Sequence, residues 1–257
     1  MMTAGSIEQP HDDNDDLKGF RRRLEELLSS DARIAGQFLE VFPEEASLIG
    51  DGLAIHLEAL LQLEATQIGA AAQSVQVGVV VRAFNSLLAV RNSLLSGYTT
   101  QAFIAMRSAF EDLITYHHLN KNPADAERWQ QGTYSIPSRE SRLNSMPDDL
   151  RAKVRKVNRV LDEFVHPGKL GVVAALKADG KTLTLRVGGN LDERHVRIVV
   201  YPLLFGLNLL HLALEEMVTA MKGSAQKEWT AAANAFDQRA AAWTRESNAE
   251  MQDKESS

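Results

Sequence analysis

Phe103-Ile104-Ala105-Met106-Arg107-Ser108-Ala109-Phe110-Glu111-Asp112-Leu113 is the stretch that decides the fold. Its large apolar residues recur at intervals of three and four, the period of one face of an α-helix. Phe103, Met106, Phe110 and Leu113 form a core stripe, which predicts a helix from Thr99 to about Asn120. Toward the N-terminus, Val77, Val80, Val81, Phe84, Leu87, Leu88, Leu94 and Leu95 mark a second helix over roughly 74–96. Gly97 follows as its stop, because glycine takes the left-handed conformation that ends many helices. The two helices form a hairpin. Away from the core stripe, Arg107, Glu111, Thr115 and His118 stand four, four and three residues apart and so line one face of the second arm.

Outside this hairpin the pattern stays largely helical. A first helix is expected near 16–29, a shorter one near 32–41 and a third over about 44–67. Residues 121–147, broken by Pro123, Gly132, Pro137 and Pro147, read as short helices and turns. Pro147-Asp148-Asp149 then opens a helix that runs to about His166, with proline in the first turn and two acids at the positive dipole end. Alternation around Asp179-Gly180 predicts a small inserted β-hairpin near 172–187. A long apolar helix follows over about 192–221, with a bend at Pro202. The last helix, about 225–247, carries Trp229, Ala233, Phe236, Ala240 and Trp243 as a narrow seam that needs cover, either from the bundle or from a second copy. The domain reading is a disordered acidic N-terminus over 1–15, a helical domain over 16–222, and a C-terminal amphipathic helix with a frayed tail over 223–257. The fold class is mainly α, a multi-helix bundle with one small β-hairpin.

Bulk properties narrow the function classes. The net charge of −6 supplies no overall basic field to attract nucleic acid, although a local patch still can. The chain has no cysteine, which excludes disulfides, thiolate metal sites and cysteine nucleophiles and suits a reducing cytoplasm. Glu8, Asp12, Asp13, Asp15 and Asp16, with no apolar run, do not make a signal peptide. The apolar stretch from Ile198 to Leu214 is interrupted by Asn208 and His211. It falls short of the roughly 18–20 residues of a membrane span, so a buried helix is expected there. No cofactor and no metal is expected.

Two side-chain groups carry possible chemistry. On the 148–166 helix, at about 100° per residue, Leu150, Val154, Val157, Leu161 and Val165 fall on one side. Arg155, Arg159, Asp162 and His166 share another sector about 60° wide. An arginine there can brace a phosphate through two donors, and a histidine in the last turn is favoured in its protonated form. The plainer alternative is a solvated basic face. The second group is Arg107 and Glu111 with His118, which either anchors a packed ionic network between helices or orients a functional group. The adjacent His117 and His118 point in different directions on a helix, and no Glu-x-x-His pair recurs to build a di-metal site. Gly188-Gly189 is too short for a phosphate loop, and no serine-nucleophile motif is present.

Over about residues 75–222 the order of elements resembles a family of uncharacterised bacterial proteins. The resemblance rests on Arg107 to Glu111 (Arg-x-x-x-Glu), Asn122 to Trp129 (Asn-Pro-x-x-Ala-Glu-Arg-Trp), and Phe164 to Pro167 (Phe-x-His-Pro), followed by a hairpin and a long apolar helix. The helical core and the six residues between Arg159 and His166 also resemble the HEPN superfamily. Many of its members are metal-independent RNases of toxin–antitoxin and phage-defence systems, commonly dimeric, with an Arg-x4-6-His motif. The resemblance implies Arg159 and His166 as a catalytic pair and RNA as substrate; the helix faces read above add Arg155, Asp162, Arg107, Glu111 and His118 as candidate supporting groups. The chain departs from that pattern at Val160, where the superfamily usually has a polar residue, and in its inserted hairpin. Two other functions compete: a non-catalytic scaffold, sensor or partner-binding protein, and a bundle that holds a small ligand on the Arg107–Glu111 face.

Overall fold

The computed structural model describes residues 13–64, 71–165, 176–179, 182–185, 189, 191, 193–218 and 224–256. The protein is a mainly α, multi-helix structure. Its helices, in the numbering used below, are α1 (Asp13–Val41), α2 (Pro43–Glu64), α3 (Ala71–Leu95), α4 (Thr99–Lys121), α5 (Pro123–Gln130), α6 (Arg139–Leu143), α7 (Asp148–Val165), α8 (Glu193–Val218) and α9 (Ser224–Ser256). Within 172–187, β1 (Leu176–Asp179) and β2 (Thr182–Leu185) pair antiparallel, with Leu176 opposite Leu185 and Asp179 opposite Thr182. The rest of that segment lies outside the described residues.

Helices α3 and α4 make the tightest pairing in the molecule, and their turn explains why. Gly97 adopts φ 73°. Its N–H donates to Leu94 O at 3.0 Å and the Tyr98 N–H donates to Ser93 O at 2.8 Å. This is the Schellman arrangement, which satisfies the last carbonyls of α3 while reversing the chain. Helix α4 is enclosed by α3, α6, α7 and α8, and Phe103, Met106, Phe110, Leu113 and Ile114 are fully buried. Helix α8 carries Pro202 inside it and packs on α2, α3, α4 and α9.

Two boundaries differ from expectation. The separate helices expected at 16–29 and 32–41 are one helix that starts at Asp13, inside the segment read as disordered. Ser29 does not break it, because its Oγ donates back to Glu25 O at 2.8 Å and so joins the helical ladder. At the other end, α9 runs to Ser256, through the tail expected to fray. No glycine or proline stands in that stretch to stop a helix. By length and composition alone, Pro43–Leu63, Gln73–Leu95 and His195–Val218 are apolar enough to cross a membrane. The last of these includes the stretch at 198–214 set aside above as too short.

The C-terminal seam is covered from within the chain. Trp229, Phe236 and Trp243 are buried against α2 and α8. The Trp229 indole donates to Ile55 O at 2.9 Å and the Trp243 indole to Glu45 Oε1 at 3.2 Å. A Cβ at Gly52 would lie 2.7 Å from the ring of Phe236 and 2.9 Å from Leu207 Cδ1, so α2 reaches its neighbours only because this position has no side chain. Beneath it, the His56 ring meets Phe236 and His211 edge-on, and His211 Nδ1 lies 2.5 Å from Asp237 Oδ2.

Burial pushes the His56 imidazole down to about 4; the Gly52 carbonyl bonded to its Nδ1 opposes this. Burial alone brings His117 to about 4. Both rings are therefore neutral in the fold, whereas the unfolded chain protonates them below about 6.5. The stability they contribute is complete above that pH and is lost as pH falls toward 4. Each histidine adds a slope of up to about 1.4 kcal/mol per pH unit in this window. Urea unfolding at pH 7.5, 6 and 5 measures the slope, and His117→Phe should flatten it; a flat profile in the parent would refute the neutral burial. Gly52→Ala overpacks the Phe236 contact and should cost about 1–3 kcal/mol in the same assay.

Candidate functional site

The polar stripe of α4 is occupied by partners that come from other helices. Arg107 pairs with Asp162 of α7, a charge contact in which Arg107 Nη1 and Asp162 Oδ1 are both enclosed and have no aligned hydrogen bond. Glu111 holds two arginines of α6. Arg139 Nε lies 2.5 Å from Glu111 Oε1, and Arg142 Nη2 lies 2.8 Å from Glu111 Oε2. Arg139 also reaches Asp162 Oδ2 at 3.1 Å. Arg142, whose side chain is only 10% exposed, donates further to Thr115 Oγ1 at 2.5 Å and Pro137 O at 3.1 Å. The result is a continuous ladder, Arg107–Asp162–Arg139–Glu111–Arg142–Thr115, that ties α4, α6 and α7 together. Arg107 and Glu111 are both engaged, but with other residues and not with each other. Partial burial and the nearby Arg139 hold the Arg107 guanidinium below its ordinary value, and Glu111 opposes them.

Local sequence explains how α6 comes to present these groups. Ser138 caps it, accepting from Ser141 N at 3.3 Å, and arginines three residues apart then project toward α4. Helix α7 is strongly amphipathic. Val154, Val157 and Leu161 are buried, and Phe164 stacks on Phe103 with ring centroids 4.0 Å apart and planes 13° apart. That stack anchors the last turn of α7 onto α4.

Between α6 and α7 lies an open groove of about 540 Å³, lined by Arg139, Glu140, Leu143, Arg155, Asn158, Arg159, Asp162 and Glu163. Three of the sequence-predicted residues, Arg155, Arg159 and Asp162, therefore meet here. Their states differ. Arg155 forms an ion pair with Glu140, and Asp162 is taken by Arg107 and Arg139. Arg159 is exposed and has no hydrogen-bond or ion-pair partner among the described residues. Asn158 is buried, and its Nδ2 donor has no partner. Two donors thus stand unsatisfied at one groove. An oxyanion in the groove would satisfy Arg159, because a guanidinium can donate to two oxygens of one phosphate; the Asn158 Nδ2 beside it is enclosed.

His166 follows directly on α7 but lies outside the described residues. His118 is placed away from the groove lining. Its Nε2 lies 3.0 Å from Asp125 Oδ2 and its Nδ1 3.0 Å from Ser145 Oγ. Asn122 Nδ2 donates to the His118 carbonyl at 2.9 Å. His118 therefore braces the end of α4 against α5 and the α6–α7 turn. Sequence reasoning missed Asn158, Arg139, Arg142 and Glu140. A serine cap followed by arginines three apart was the available signal for α6; Asn158 carried none, since only its enclosure makes its free donor informative.

Comparison with protein-family models, with characterised proteins and with solved structures gives no match. The groove is therefore interpreted from its own chemistry.

Glu111 is the hinge of the ladder. Glu111→Ala leaves Arg139 and the nearly enclosed Arg142 without their carboxylate, and the expected loss is about 1–3 kcal/mol in urea unfolding. Glu111→Gln keeps one acceptor and should lose less. Equal stability of the parent and the alanine variant would show that the ladder does not hold the helices.

Proposed function

We propose that the α6–α7 groove binds a phosphodiester of single-stranded RNA and that the protein is a HEPN-like, metal-independent endoribonuclease. The observation that carries this reading is the exposed Arg159, without a partner among the described residues, in an open groove whose other arginines are already paired. The resemblance in the Arg159 to His166 spacing supplies the second half of the reading, a proton carrier that follows α7 directly in the sequence.

In this mechanism the RNA 2′-hydroxyl attacks the adjacent phosphorus. The 2′-oxygen–phosphorus bond forms and the bond to the 5′-oxygen breaks. His166 takes the 2′-proton and passes it to the departing 5′-oxygen, so the products are a 2′,3′-cyclic phosphate and a free 5′-hydroxyl. Arg159 stabilises the charge that builds on the non-bridging oxygens. The nucleophile belongs to the substrate, so the chemistry requires no metal-activated water. RNA as substrate accords with a cytoplasmic protein.

A second reading has its own observation. Glu140, Asp162 and Glu163 line the same groove, and this acidity suits a basic segment of a partner protein in a non-catalytic scaffold.

The purified protein on a single-stranded RNA of mixed sequence should yield cyclic-phosphate ends, and cleavage should persist in EDTA. Arg159→Ala and His166→Ala should each lower the rate by at least about 10²-fold without changing the melting temperature. Arg155→Ala should have a smaller effect, because that arginine is already neutralised by Glu140. A parent protein that leaves RNA intact would eliminate the nuclease and leave the scaffold reading.

A further inference from the structure

His118, Asp125 and Ser145 form a series of hydrogen bonds away from the groove. Ser145 Oγ lies 3.0 Å from His118 Nδ1, and His118 Nε2 lies 3.0 Å from Asp125 Oδ2. Three places in the chain supply them: the last turn of α4, the first turn of α5, and the turn between α6 and α7. No linear motif announces the set. A hydroxyl, an imidazole and a carboxylate acting in series are defined by geometry and role, not by sequence position.

The series has a direction. Asp125 is its fixed end: the carboxylate also pairs with Arg128, and the side chain is only 14% exposed. Burial works to raise the Asp125 pKa, but the bonds from His118 and Arg128 outweigh it and hold the carboxyl below its ordinary value. An ionised carboxylate only accepts, so in the neutral ring Nε2 carries the proton and Nδ1 is left as the base. The Asn122 amide agrees with this tautomer, since its Nδ2 lies 3.4 Å from Nδ1. Ser145 Oγ then donates to Nδ1. The His118 side chain is 9% exposed, whereas Ser145 is half-buried and open on its outer side. A polar brace has no need of this order. Carboxylate inside, imidazole between and hydroxyl outermost is the order in which a base takes the proton of an attacking oxygen. Next to Ser145, Asn144 is exposed; its Oδ1 accepts from Arg151 Nη1 at 3.2 Å, which leaves its Nδ2 without a partner among the described residues.

We propose that Ser145 is a nucleophile that hydrolyses carboxylic esters, with His118 as its general base and Asp125 as the residue that positions the ring. Ser145 Oγ bonds to the ester carbonyl carbon while Nδ1 takes its proton, and Asp125 stabilises the charge on the imidazolium. The bond to the alcohol oxygen breaks, and His118 returns the proton to that oxygen. Water then attacks the acyl-serine. Its proton passes to Nδ1 and on to Ser145 Oγ as the carboxylic acid leaves. Asn144 Nδ2 is the donor placed beside the nucleophile for the oxyanion. A single such donor suits esters, whose alkoxide leaves more readily than an amine. The site is independent of the groove and of its chemistry.

Two measurements on the full chain test it. A fluorophosphonate probe should add one label, located at Ser145 by peptide mass. p-Nitrophenyl acetate should be turned over at a rate that rises with pH and levels off once His118 is neutral. Ser145→Ala should take no label and lose at least about 10²-fold in rate with its circular dichroism melt retained. Asp125→Asn should lower the rate on the plateau as well, because an amide can bond the wrong tautomer. The second measurement uses the absence of cysteine from the chain. Ser145→Cys sets a single thiol against His118, and the midpoint of its iodoacetamide alkylation against pH should lie at least about one unit below that of Ser135→Cys, where the thiol is exposed. Adding His118→Gln should remove the difference. A parent that takes no label at Ser145, a Ser145→Ala variant as active as the parent, or a thiol with the reference midpoint would overturn the proposal. None of these readouts involves RNA, so the outcome is distinct from that for the groove.

Discussion

The Glu111 carboxylate, held between the guanidinium groups of Arg139 and Arg142, is the contact on which the arrangement around the groove depends. Helix α4 meets α3 and α8 mainly through apolar residues, with Asp112 paired to Arg82 of α3 and Tyr116 bonded to Glu216 of α8, and its Arg107–Glu111–Thr115 stripe is satisfied from the remaining side. Ion pairs of this kind are costly to desolvate and contribute net stability only when every lone pair and proton finds a partner. Here the two oxygens of Glu111 are shared between two arginines, and Arg142 reaches onward to Thr115 and Pro137 O. The five-residue α6 has little apolar surface of its own; this network is what holds it against α4.

The same ladder decides which groups at the groove are available. Asp162 stands three residues beyond Arg159 on α7 and would be its natural local partner. Arg107 and Arg139 claim that carboxylate instead, and Glu140 claims Arg155. What is left over is Arg159, exposed, and the Asn158 amide, enclosed and unpartnered. The groove thus keeps one unpaired guanidinium, Arg159, for an external acceptor, beside the exposed Glu163. The brace around His118 shows the contrasting outcome, in which both ring nitrogens are occupied by Asp125 and Ser145.

A second set of constraints governs the far side of the bundle. Helix α9 is stitched to α2 by two indole hydrogen bonds and by the ion pair of Arg239 with Asp51 at 2.7 Å. The Gly52 contact lets the two helices close over His56 and His211. Burying His56 there, where its imidazole is held neutral, links the closure of α9 to proton concentration.

Periodicity and turn chemistry, which are local, determined the helical class, the α3–α4 hairpin with its stop at Gly97, and the amphipathic character of α7. Local signals misled between 29 and 32, where two helices were expected and one runs through; within 121–147 they marked the short helices α5 and α6 but said nothing of where α6 would dock. The choice of partners was beyond the sequence. Arg107 and Glu111, four residues apart, form the pair that spacing favours, yet each binds a residue from another helix. Side-chain ionic contacts depend on distances of a few ångströms between elements far apart in the chain, and only packing sets those distances. For the same reason the isolation of Arg159 and the enclosed free donor of Asn158 became visible only in the tertiary structure: a group without a partner is defined by everything around it, not by its neighbours in sequence.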